Sequence, residues 1–169
     1  MTPRVPESHP LNQLFQGLAE HTFTARLGVA DPELVGYVAD LLARFVPSTE
    51  VWRLRGRDGR RLDQVALMVA EAESSNDESR RRDCHRHVGD YTLFWTGVYP
   101  EALNSSQARR SLDSLIDYQR QGKRSYYLAS TYEGNSQHSG LLRRLSDEFE
   151  ICAVGLSQVR KEWERAALG

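Results

Sequence analysis

The chain has 169 residues, 40% of them hydrophobic and 27% charged, with a formal net charge of −1. That length suits one domain, in which roughly 70% of the unfolded surface can be buried without a disulfide or metal as a staple. The near-neutral balance gives no overall field to draw the chain to nucleic acid or anionic lipid, and no apolar run approaches the roughly 18 residues of a membrane span.

Of 22 basic residues only Lys123 and Lys161 are lysines, and Ile116 and Ile151 are the sole isoleucines. This is the usage of a GC-rich genome, so arginine clusters carry less weight as a sign of function. Cys84 and Cys152 have no neighbouring cysteine, which excludes a Cys-x-x-Cys zinc or redox site. Met1 to Pro10 hold three prolines and no apolar stretch, so this segment reads as an extended tail and not a secretion signal. The expectation is a cytoplasmic protein with reduced, buried thiols, and a single helical domain over 11–169.

From Leu11 the apolar positions Leu14, Phe15, Leu18 and Thr22 follow the stripe of an amphipathic helix, with Gly28 as its stop. Asp31-Pro32-Glu33 then supplies a capping carboxylate, a first-turn proline and a first-turn acid. Leu34, Val38, Leu41, Leu42 and Phe45 make the buried face of that second helix. Val51 to Arg61 reads as a helical turn and a loop, with a short hairpin at Asp58-Gly59 as the competing reading.

Helical period returns with Leu62, Val65, Ala66 and Val69, and Ser74 to Asp77 is a loop and cap. The next helix carries Cys84, Val88, Tyr91, Trp95 and Val98 on one stripe, with His87 and Phe94 beside it. Gly89 and Gly97 each cost this helix about 1 kcal/mol relative to alanine, which marks close approach of a neighbour. Leu112, Leu115 and Ile116 predict a helix ending by Gly122, and Lys123 to Tyr132 another. Leu142, Leu145, Phe149, Cys152, Leu156, Val159 and Trp163 then predict one long helix, either the centre of a bundle or a coiled-coil seam between chains. The fold class is all-α, an irregular bundle of five to seven helices.

The run His87-Val88-Gly89-Asp90-Tyr91-Thr92-Leu93-Phe94-Trp95-Thr96-Gly97-Val98-Tyr99-Pro100-Glu101, with Gly122-Lys123-Arg124-Ser125-Tyr126 later, resembles a bacterial family of uncharacterised helical proteins. The likeness runs over most of the chain. It implies a bacterial helical domain and carries no activity.

Two constellations carry chemistry. Asp83, His87 and Asp90 are spaced four and then three apart, on one side of a helix, and Glu148 stands at the edge of the last helix's apolar face. These four are the candidate ligands for a divalent metal, with His21 as a further histidine on an apolar face. The competing reading is a structural histidine satisfied across a helix interface. A helical di-iron centre is not expected, because the chain has no Glu-x-x-His.

The second is basic. Arg53, Arg55, Arg57, Arg60 and Arg61 fall within nine residues, and Arg80-Arg81-Arg82 with Arg86 can extend them. Such a patch suits phosphate or a nucleic-acid backbone, whereas nearby acids favour a salt-bridged face. Lys123 and Arg124 after Gly122 are candidates for an anion site at a helix N-terminus. With no P-loop, Gly-x-Gly-x-x-Gly or Gly-x-Ser-x-Gly, an enzyme is the less favoured class. The favoured function is interaction, through self-association or a protein partner. Metal or small-ligand binding is second, and anion or nucleic-acid-backbone binding third.

Overall fold

The computed structural model describes residues 10–46, 64–104, 113, 116–132 and 139–168. Among them are seven α-helices and no strand, the all-α bundle that the sequence predicts. Helix α1 (Pro10–Ala19) continues as a π-helical stretch, Glu20–Arg26, and is followed by α2 (Pro32–Phe45), α3 (Val65–Ser74) and α4 (Glu78–Val98). A 3-10 turn at Pro100–Asn104 leads towards α5 (Tyr118–Thr131), α6 (Ser139–Asp147) and α7 (Phe149–Leu168). The predicted tail up to residue 9 and the 51–61 segment lie outside the described residues.

The first helix departs from its predicted phase. Leu14, placed on the core stripe by the sequence, is 47% exposed, while Phe15, Ala19, Phe23 and Thr22 are buried. The buried face runs Asn12, Phe15, Ala19, Thr22 and Phe23, still spaced three and four apart but rotated by one position from the expected stripe, and a π-helical stretch follows from Glu20. It closes with Leu27 N–H donating to the Thr22 carbonyl at 3.0 Å. Gly28 then takes φ +69°, the left-handed conformation that ends a helix at little cost in glycine.

Helix α2 follows its sequence signals closely. Asp31 Oδ1 accepts from the Leu34 amide at 3.2 Å, Pro32 opens the helix, and all five expected core residues are buried. Asp31 also accepts from Arg144 Nε at 2.8 Å, and Glu33 from Arg144 Nη2 at 2.8 Å, so one arginine of α6 docks on the start of α2. Helix α3 has no such local cap. The Asp113 carboxylate accepts from the Val65 and Ala66 amides at 2.7 and 2.9 Å and from the Tyr118 hydroxyl at 2.6 Å. A distant acid therefore satisfies donors that a helix start leaves open.

The central helix is α4, not the last helix as the long apolar seam suggested. From Cys84 it is enclosed nearly all round, with His85, His87 to Phe94, Gly97 and Val98 buried. Gly89 lies under the Tyr126 ring of α5, where an added Cβ would sit 2.5 Å from a ring carbon. A Cβ at Gly97 would meet Leu156 of α7 at 2.8 Å. Both glycines admit neighbours, as expected.

Gly122 does not end a helix. It sits inside α5, whose cap is Asp117, and faces Thr92 and the Phe149 ring. The predicted long C-terminal helix is divided at Glu148 into α6 and α7, although Glu148 N–H still bonds to Arg144 and its carbonyl to Cys152. Its seam is internal: Leu142, Leu145, Phe149, Cys152, Leu156 and Val159 are all fully buried, and Trp163 packs on Phe15 with ring centroids 5.3 Å apart. The bundle consumes the surface that a coiled coil between chains would have used.

Candidate functional site

Polar side chains from α2, α4 and α5 converge on Asp90. On α2, Tyr37 and Arg44 are two turns apart and share a face; on α4, Arg86 and Asp90 are one turn apart. Tyr126 reaches the cluster from α5 over the bare backbone of Gly89.

Asp90 is 3% exposed. Its Oδ1 accepts from the hydroxyls of Tyr37 and Tyr126, each at 2.7 Å, and its Oδ2 from Arg44 Nη2 at 3.4 Å. Arg44 Nε donates to Asp40 at 2.9 Å, and Arg86 Nε donates to the Tyr37 hydroxyl at 3.1 Å. Both guanidiniums lie against the Tyr37 ring, with Cζ 5.9 and 5.5 Å from its centroid, close enough for cation–π attraction.

The electrostatics hold both phenols protonated and Arg44 charged. Burial, reinforced by the Asp90 charge, pushes the Tyr37 and Tyr126 phenols well above their ordinary range. Both stay protonated donors and neither can serve as a base near neutrality. Burial opposes the Arg44 charge, but Asp90, Tyr37 and Asp40 outweigh it. A carboxylate offers about four acceptor positions, and three at Asp90 are taken. The arrangement holds α2, α4 and α5 in register and leaves Asp90 little capacity for anything else.

The predicted metal ligands are placed apart. Asp83 is exposed and pairs with Arg82 at 3.1 Å, because the first turns of α4 project beyond the point where the bundle encloses it. His87, 7% exposed, lies among the Phe45 and Tyr91 rings at centroid distances of 6.0 and 6.2 Å. Asp90 is engaged as described. Glu148 is exposed at the α6–α7 junction and His21 is exposed on the π-helical stretch. Among the described residues no group of three or more His, Cys, Asp or Glu side chains is placed to hold a metal ion.

Of the basic candidates, Arg53, Arg55, Arg57, Arg60 and Arg61 lie outside the described residues. Lys123 pairs with Glu150 at 2.5 Å, and Arg124 is exposed. Neither stands at a helix N-terminus, since α5 begins a turn earlier. The Arg80–Arg82 run is partly neutralised: Arg80 pairs with Glu71 at 2.9 Å and Arg82 with Asp83. Arg81 instead lies over the Tyr132 ring, 5.2 Å from its centroid. Cys84 and Cys152 are buried free thiols, and burial pushes the Cys152 thiol up to about 12.

Sequence reasoning missed Tyr37, Arg44, Arg86 and Tyr126 as partners of Asp90, and Asp113 as the cap of α3. One signal was present: Arg44 interrupts the apolar run Leu41-Leu42-Ala43-Phe45, where a charged residue requires a buried partner. The remaining partners are joined only by tertiary packing.

No protein-family model matches the chain, and no curated protein or solved structure is significantly similar to it. The resemblance to a bacterial helical family therefore rests on the residues quoted for it alone.

Proposed function

We propose that this chain is a cytoplasmic interaction protein that binds the acidic surface of a protein partner through the outward face of α5. The observation that carries this reading is the composition of that face. Arg120, Arg124, Tyr127 and Thr131 recur at helical spacing and are all exposed, and Arg143 of α6 stacks 4.8 Å over the Tyr127 ring. Tyr127 is 43% exposed. Arginine and tyrosine are the residue types that dominate binding energy at protein interfaces. Arg120 and Arg124 have no ion-pair partner among the described residues, which favours an acidic surface over a second copy of the same basic face.

The Leu142–Trp163 seam, from which the sequence predicts interaction, is internal, and the exposed face of α5 takes its place. A reducing compartment suits the two free thiols.

Native mass spectrometry of the tagged full chain, recovered from its own cells, tests this. The wild type should carry one additional protein mass, lost on Arg120→Glu with Tyr127→Ser and retained on Arg165→Glu, a distant exposed arginine of α7. A bare monomer, or a complex that the double variant keeps, would overturn the reading. A homodimer lost in the double variant would retain the face and make the partner a second copy.

A further inference from the structure

On the N-terminal half of α4, one turn and more before Asp90, Arg81 and His85 stand one helical turn apart, so their side chains are neighbours. Both face Tyr132, which follows α5. The His85 ring is parallel to the Tyr132 ring, with an interplanar angle of 4° and centroids 6.4 Å apart, and the Arg81 guanidinium lies over the same ring. His85 is 2% exposed. Its Nδ1 and the Nε of Arg81 are both buried, and neither has a hydrogen-bond partner among the described residues.

An unpaired buried donor costs about 1–3 kcal/mol, more when charged, and such groups are rare in folded proteins. Arginine has only donors, so what satisfies Nε must be an acceptor. Neutral imidazole can present Nδ1 as a second donor in one tautomer. Neither Arg81 nor Arg124 has a carboxylate partner among the described residues, so the positive charge here is uncompensated by an ion pair.

We propose that Arg81 and His85, with Arg124 at the rim, form a binding site for a small oxyanion, a phosphate or carboxylate group, beside Tyr132. The site is separate from the Asp90 network and shares only Arg124 with the α5 partner face, since neither Arg81 nor His85 belongs to that face.

The charges around His85 give the site a pH signature. Burial first, then Arg81 on its own helix, and also Arg124 of α5, hold the imidazole below its ordinary value, while Glu73 of α3 works the other way. A bound anion offsets the two arginines and favours the imidazolium. Binding therefore raises the His85 pKa, and affinity increases as pH falls through the imidazole's range.

The test uses NMR on the full chain with histidine ring nitrogens labelled, titrated separately with inorganic phosphate and with acetate at constant ionic strength. A saturable shift of the His85 ring signals and an upward-moving His85 pKa are expected. Arg81→Met should weaken the effect at least tenfold, and Arg165→Met should not. Arg81 is partly exposed, so this variant should fold, as a circular dichroism melt would check. Response to phosphate alone identifies a phosphate group, and response to acetate alone a carboxylate. No saturable response at millimolar concentrations of either, or an equal response in Arg81→Met, would overturn the proposal.

Discussion

Two polar clusters on one helix have opposite accounts. Around Asp90 every buried donor that converges meets an acceptor: two phenols and a guanidinium share one carboxylate, and Arg44 spends its Nε on Asp40. Beside His85, two buried nitrogens have no hydrogen-bond partner among the described residues. A satisfied network in a low-dielectric interior stiffens the structure that holds it, whereas an unsatisfied pair is a standing cost. The difference teaches that burial and charge do not by themselves mark a working site. The Asp90 cluster holds more ionisable groups, yet the His85 cluster has the unused binding capacity.

The comparison can be broken most forcefully at Asp90. Asp90→Ala leaves Arg44 buried without its central partner and strands two phenols, so unfolding in denaturant should show a loss of about 3–5 kcal/mol. A loss below about 1 kcal/mol would mean that the network does not hold the helices together. Gly89→Ala tests the same cluster sterically, because the new methyl meets the Tyr126 ring. Displacing that ring should cost about 1–3 kcal/mol, with the Tyr126 hydroxyl drawn off Asp90; an unchanged midpoint would show that the ring yields freely.

The smallest effect sharpens the other side. His85 has a lowered pKa in the folded chain, so below its ordinary value of 6.5 the unfolded state binds more protons. Stability at this group is complete above that pH and declines as pH falls through and below it. His85→Gln should flatten the acid limb of a stability–pH curve measured between pH 7 and pH 5 by a fraction of a proton. Identical curves would mean that His85 titrates as freely folded as unfolded.

Much of the architecture was legible because its causes are local. Asp31-Pro32 fixes the start of α2, Asp77 that of α4, and Gly28 the end of the first helix, each through bonds within a few residues. The phase of α1 was misread because its core face runs through Asn12, a polar residue that apolar periodicity passes over in favour of Leu14. Gly122 was misread as a stop because a glycine at a helix end and a glycine under a crossing ring look alike in sequence. The Asp90 partners lie 53, 46 and 36 residues away along the chain, too far for spacing to reveal them. The metal reading began from Asp83, His87 and Asp90 on one helix side, but periodicity does not say where along a helix the bundle begins to enclose it.

Asp113 gives the fold a temporal order. Helix α3 obtains the acceptor for its first amides from a residue 48 positions later, held in turn by Tyr118. As the chain emerges from a ribosome, α1 and α2 already have their own terminators and caps, but α3 must wait until the segment leading into α5 has been made. Until then its first turn is open to water. The first turn of α3 is therefore completed only by the later part of the chain, and α3 and α5 are expected to gain protection from hydrogen exchange together rather than in order of synthesis.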